Sequence, residues 1–165
     1  MLGELRMIDK LNIRNATEND LDAIGTLWKE LMDFHKVLDS LFTRSSDGHE
    51  NFKNFIKSQI SSETSCVLVG EYNNNIVAYC FATIAKYPPV FEEKQYGAIL
   101  DMAVTKNYRR SGIGERMYKL IQDWFKQQDV NRIELRVSLP NEISTSFWRK
   151  MGFKPYLETV VKKLK

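Results

Sequence analysis

Along the first third of the chain, apolar residues recur at helical spacing. Leu21, Ile24, Leu27, Trp28, Leu31 and Met32 lie on one stripe, which predicts a helix to about Phe34. Thr17 precedes it as an N-cap, with Asp20 placed to answer in a capping box. Leu11–Arg14 alternates and reads as a first strand. A second helix is predicted over Asp47–Ile60, where Phe52, Phe55 and Ile56 share a face, and Lys36–Ser46 reads as a loop or broken helix.

The period then changes. Cys66–Val69 and Ile76–Ala82 read as strands joined at Asn73-Asn74-Asn75, a hairpin signal, and Pro88-Pro89 interrupts the chain. Tyr96–Thr105 is predicted as a strand, followed by a helix from about Gly114 to Gln128. A strand over Arg132–Val137, a helix over Asn141–Met151 and a last strand over Phe153–Leu164 complete the order. Hairpins combined with a βαβ crossover imply an α/β fold with a mixed sheet.

Composition narrows the class. The 165 residues suit one domain spanning 1–165, and 43% hydrophobic content supports a core. A net charge of +3 supplies no strong basic face, so neither a nucleic-acid partner nor a membrane surface is expected. No apolar run approaches the roughly 20 residues that span a bilayer, and the first residues lack the order of a signal peptide, so a cytoplasmic location is expected. Cys66 and Cys80 sit in apolar runs and read as buried small hydrophobes; with His35 and His49 they lack metal-site spacing, so no metal is expected.

The most informative segment is Ile99–Met117, in which a strand enters the loop Tyr108-Arg109-Arg110-Ser111-Gly112-Ile113-Gly114 and the loop opens a helix. A helix start offers unpaired N–H groups and the positive end of the macrodipole to an anion. Gly112 and Gly114 clear side chains from its approach, and Arg109 and Arg110 can add charge-assisted hydrogen bonds. The expected ligand is a pyrophosphate. Glu115 stands where a P-loop needs lysine, and Met117 where a dinucleotide fold needs glycine, which weakens both nucleotide readings.

Val104 with Tyr108–Gly114 resembles the acyl-CoA signature of the GCN5-related N-acetyltransferases, the GNAT superfamily. Asn141–Pro155, an Asn before a helix carrying Phe147-Trp148 and then Lys150-Met151-Gly152-Phe153, resembles that family's second signature. The resemblance implies a GNAT fold: a mixed, mostly antiparallel sheet of six to seven strands flanked by about four helices. It further implies acetyl-CoA as co-substrate and direct transfer of its acetyl group to a primary amine acceptor, and it admits a homodimer. Met102, Ala103 and Val104 would pair with the pantetheine arm, and the N–H groups of Arg109, Arg110, Ser111, Gly112, Ile113 and Gly114 would hold the pyrophosphate. Asn141 would bond the pantetheine amides, and Phe147 and Lys150 would lie along the adenine end. The cofactor would enter where the strands ending near Val104 and Val137 splay apart. A catalytically silent acyl-CoA-binding module that regulates a partner is the reading from another class.

Two departures from the family pattern stand out. Trp148 occupies the position of a tyrosine acid, and an indole cannot serve as one; packing is its expected role. Counting back by two from Val104, strand alternation reaches Met102, Leu100, Ala98 and Tyr96, so only Tyr96 is polar. Asp101 falls on the other face unless a bulge shifts the register. Tyr96 and Asp101 are therefore the catalytic candidates. With no evident base, a low-pKa amine is the expected acceptor, because deprotonating an ordinary lysine-like amine at neutral pH costs about 4–5 kcal/mol. His35 and Asp39 are candidates for the acceptor pocket or else solvated surface residues.

Overall fold

The computed structural model describes residues 7–164. Five strands form one sheet in the order β1 (Asn12–Asn15), β2 (Ser65–Tyr72), β3 (Asn75–Lys86), β4 (Gln95–Val104) and β5 (Ile133–Leu135). The first three pairings are antiparallel, and β4 with β5 is parallel. Asn73 and Asn74 both adopt positive φ, which is what a two-residue primed turn between β2 and β3 requires.

Helices cover both faces. On one lie α1 (Leu21–Leu38) and α2 (Gly48–Ile60), burying Ile24, Leu27 and Ile56 against Val67, Val69, Tyr79, Phe81 and Ala103. On the other, α3 (Ile113–Gln127) buries Ile113, Met117, Ile121 and Phe125 against Leu68, Cys80 and Ile99, and Trp148 of α4 (Glu142–Lys150) joins them. Both cysteines are free and buried, as their apolar runs imply. The chain enters α1 through Thr17, whose N–H and hydroxyl donate to Asp20 at 2.8 and 3.0 Å. Asp20 also receives Arg14 bidentately at 2.8 and 2.9 Å, and that pairing holds its carboxyl down at about 2.

Two expectations about strands are corrected. The described residues form five strands, fewer than the six to seven implied by the resemblance, and Phe153–Leu164 has no ladder partner. Phe153 packs on the core, but Leu157, Val160, Val161 and Leu164 are at least 80% exposed, so no buried face enforces a register there. The strand over Arg132–Val137 contracts to Ile133–Leu135. Helix α1 runs one turn further than the apolar stripe implies, ending where Asp39 adopts extended backbone.

Candidate active site

The loop after β4 has the geometry of an anion cradle. Tyr108 closes a short 3-10 turn over Lys106–Tyr108, Arg110 turns into the left-handed region at φ 61°, and Gly112, at φ 86°, caps α3. Only glycine adopts that φ without strain. Among the described residues, the N–H groups from Arg110 to Glu115 find no protein acceptor, whereas Arg109 N–H reaches Lys106 O at 3.4 Å. A Cβ on Gly114 would lie 3.3 Å from the Phe147 ring, so glycine there lets the start of α3 seat against α4.

The arginines behave differently from expectation. The Arg109 side chain turns away from the cradle: its Nε donates to Val104 O at 2.8 Å and its guanidinium pairs with Glu30 at 3.3 Å. Glu30 also accepts from Thr105 Oγ1 and Lys106 N–H, so α1 is tied to the loop through one carboxylate. Arg110 is exposed. Lys150 sits beside the loop, 3.2 Å from Glu115, which also takes Lys119; the two lysines lower the Glu115 pKa and neutralise a carboxylate at the start of α3.

The strand edge beside the cradle is free. β5 pairs with β4 only over Gly97–Ile99, so Met102, Ala103 and Val104 bond β3 on one side and face a gap on the other. Across that gap stands Asn141, buried at the start of α4. Its Oδ1 accepts from Ser144 N–H at 3.0 Å, and its Nδ2 lies 3.3 Å from His35 Nε2. His35 Nδ1 is 2.9 Å from the Leu31 carbonyl. A carbonyl accepts only, so Nδ1 carries the proton and Nε2 takes the Asn141 N–H. One Asn141 N–H is left for a ligand. His35, which the sequence leaves between pocket and surface, is thus part of the cleft wall; its only sequence signal is a place near the end of α1.

A bulge interrupts the alternation of β4. Phe81 pairs with Asp101 but Ala82 pairs with Ile99, leaving Leu100 as an extra, exposed residue. Beyond it the alternation is reversed. Asp101 and Ala103 face α1 and α2, while Met102 and Val104 pack toward α3. Asp101 thus lies on the face opposite Val104, as alternation expects; the count from Val104 fails only beyond Leu100, so Tyr96 shares the face of Asp101 and not that of Val104. Burial raises the Asp101 carboxyl to about 6, with Tyr79 and His35 opposing the rise. Tyr96 lies on the same face, about 13 Å further along the strand by strand rise, stacked on Tyr87 at 4.5 Å.

Trp148 is buried edge-to-face against Tyr118 and Phe153, at 5.7 and 5.3 Å, which is a packing role. Beyond His35, the helices and the 41–45 segment border a cavity of about 420 Å³ lined by Trp28, Met32, Phe42 and Phe52. No group of three or more metal-ligating side chains occurs among the described residues. Among them, too, no helix is long and apolar enough to cross a membrane.

A family model described as "Acetyltransferase (GNAT) family" matches residues 28–153. The chain belongs to this acetyltransferase family. Within it, the chain is 25% identical over 138 residues to an uncharacterized N-acetyltransferase of Archaeoglobus fulgidus, covering 84% of this chain and 89% of that one. It spans about half the length, 48%, of mouse N-acetyltransferase family 8 member 3, at 25% identity over 111 residues, which are 67% of this chain. Among solved structures, the tetramutant of the BH1408 protein from Bacillus halodurans superposes with a TM-score of 0.84 at 26% identity, covering 93% and 99% of the two chains. A predicted acetyltransferase from Clostridium acetobutylicum, solved with acetyl-CoA, shares the fold with a TM-score of 0.76 at 20% identity, covering 93% and 96%. The GNAT fold expected from the two signatures is the fold of this chain, one edge strand aside.

Proposed function

We propose that this protein transfers the acetyl group of acetyl-CoA to a primary amine. The observation that carries the reading is one juxtaposition. A run of unpaired N–H groups from Arg110 to Gly114 adjoins an unpaired strand edge at Met102–Val104, and a carboxylate with a raised pKa, Asp101, lies in that same edge. The cradle takes the diphosphate, with Lys150 and Phe147 beside it. The strand edge takes the pantetheine amides, and the remaining Asn141 N–H takes a pantetheine carbonyl.

Asp101 accepts the proton of the incoming ammonium. A carboxyl titrating near 6 is ionised at neutral pH yet basic enough to take part in proton transfer. The amine nitrogen bonds to the thioester carbon, the C–S bond breaks, the thiolate leaves with the electron pair, and the second nitrogen proton passes to the thiolate or to water. A thiolate of ordinary pKa leaves without an acid, so Trp148 is no obstacle. Because Asp101 stands on the acceptor side, the acceptor need not be a low-pKa amine. Tyr96 and Tyr87 form an aromatic wall further along the same face, suited to the body of the acceptor.

Calorimetry with CoA, followed by release of free CoA from acetyl-CoA with a panel of α-amines, ε-amines and amino sugars, tests the proposal. Micromolar binding together with amine-dependent release is expected. Binding without release for any amine would favour a silent acyl-CoA module, and no binding would overturn the reading.

A further inference from the structure

We infer that Tyr79 is a positioning residue for Asp101, its hydroxyl being held in the core as the donor that orients the carboxylate toward the acceptor amine. The inference rests on the proposed acetyl transfer for its catalytic consequence, but its structural basis is independent of that reading.

Tyr79 is fully buried, yet its hydroxyl has no hydrogen-bond partner among the described residues. A buried unpartnered hydroxyl is costly, and phenylalanine would fill the same space without that cost. Its ring is already well packed, edge-on to Phe52 at 6.3 Å and within the cluster around Ile24, Leu27 and Ile56. Packing therefore accounts for the ring and leaves the oxygen unexplained. The register supplies an explanation. Tyr79 pairs with Ala103 and Phe81 with Asp101 in unbroken register, so Asp101 stands on the face of the sheet that carries Tyr79.

The two groups influence each other: the carboxylate pushes the phenol further above its ordinary range, and the hydroxyl holds the Asp101 carboxyl down against burial. The phenol stays protonated, and so it can only donate to an ionised carboxylate. One Asp101 oxygen taken by that donor leaves the other for the ammonium. The remaining groups facing Asp101 are few. His35 comes from α1, with Asn141 of α4 behind it; Cys80 of β3 lies on the opposite face of its strand; Phe52 is what α2 contributes beside Tyr79.

The test is Tyr79→Phe, with Asp101 followed in two ways. Removing a donor to the ionised form should move the Asp101 carboxyl carbon titration, read by NMR in the free protein, upward by about half to one pH unit. The acid limb of kcat/KM should move the same way, lowering the rate about three- to tenfold at pH 6 and less at pH 8. A core tyrosine with an incidental hydroxyl would move neither, and an unshifted carboxyl titration in a folded Tyr79→Phe protein overturns the inference. If Tyr79→Phe does not fold, the Tyr79 hydroxyl proton decides: protection in the wild type that is lost in Asp101→Ala, which has no side-chain acceptor, supports the pairing, and protection unchanged in Asp101→Ala overturns it. Because the NMR readouts need no turnover, a protein that shows the carboxyl shift but never releases CoA refutes the transferase reading and leaves this one standing.

Discussion

Asp101→Asn separates stability from activity with opposite signs. The carboxyl titrates near 3.8 when unfolded and at about 6 in the folded protein, because burial penalises its charge. The difference is worth about 3 kcal/mol of unfavourable free energy in the ionised folded state. For a folded pKa that is raised, the stability is fully present below the unfolded pKa and is lost as pH rises through the folded value. Wild type should therefore lose about 3 kcal/mol relative to Asp101→Asn between roughly pH 4 and pH 6, with no further change above. Urea denaturation of both proteins at pH 3.5, 5 and 8 measures this: near-equal stability at the lowest pH, the variant ahead at the highest. In the same preparations, loss of the proton acceptor should lower kcat about 10²- to 10⁴-fold and abolish the acid limb. A variant less stable than wild type at pH 8, or one whose rate keeps its limb near 6, would show that Asp101 is neither strained by its charge nor the base.

Other perturbations have defined outcomes. Replacing His35 by Phe removes the acceptor of the buried Asn141 amide, so the KM for acetyl-CoA should rise about tenfold, in line with a lost hydrogen bond to a buried group, while kcat changes little. His35→Gln, which keeps an acceptor, should recover most of that loss, and steady-state kinetics of the pair decide. Gly112→Ala places a Cβ 2.7 Å from Ile8 Cδ1 at φ 86°. It should cost about 1–2 kcal/mol by thermal melting and weaken CoA binding by calorimetry. Asp20→Asn breaks the charged pair with Arg14. The depressed carboxyl contributes stability that is present above pH 3.8 and lost as pH falls through about 2. With Arg14 a third exposed, the cost at pH 7 should be about 1–2 kcal/mol, and it should vanish in acid.

By itself the sequence determined whatever depends on neighbours along the chain. The stripe from Leu21 to Met32 set α1, Thr17 and Asp20 set its entry, the asparagines after Tyr72 set a tight hairpin, and Gly112 with Gly114 set a helix start open to an anion. Each is local: a 3.6-residue period, a cap three residues away, a φ that only glycine takes freely. Tertiary structure decided what depends on partners far along the chain. Strand alternation counts correctly until a residue is left unpaired, and only the ladder with β3 places that residue at Leu100 and so moves Tyr96 onto the face of Asp101. Arg109, which charge alone assigned to the anion, is claimed by Val104 O and by Glu30, 79 residues away. His35 meets Asn141 across 106 residues, and no period or motif encodes that meeting. The last segment alternates between no buried and exposed faces, so without a partner its apolar residues could not specify a strand. Local chemistry wrote the glycine loop, and long-range pairing placed Asp101, His35 and Asn141.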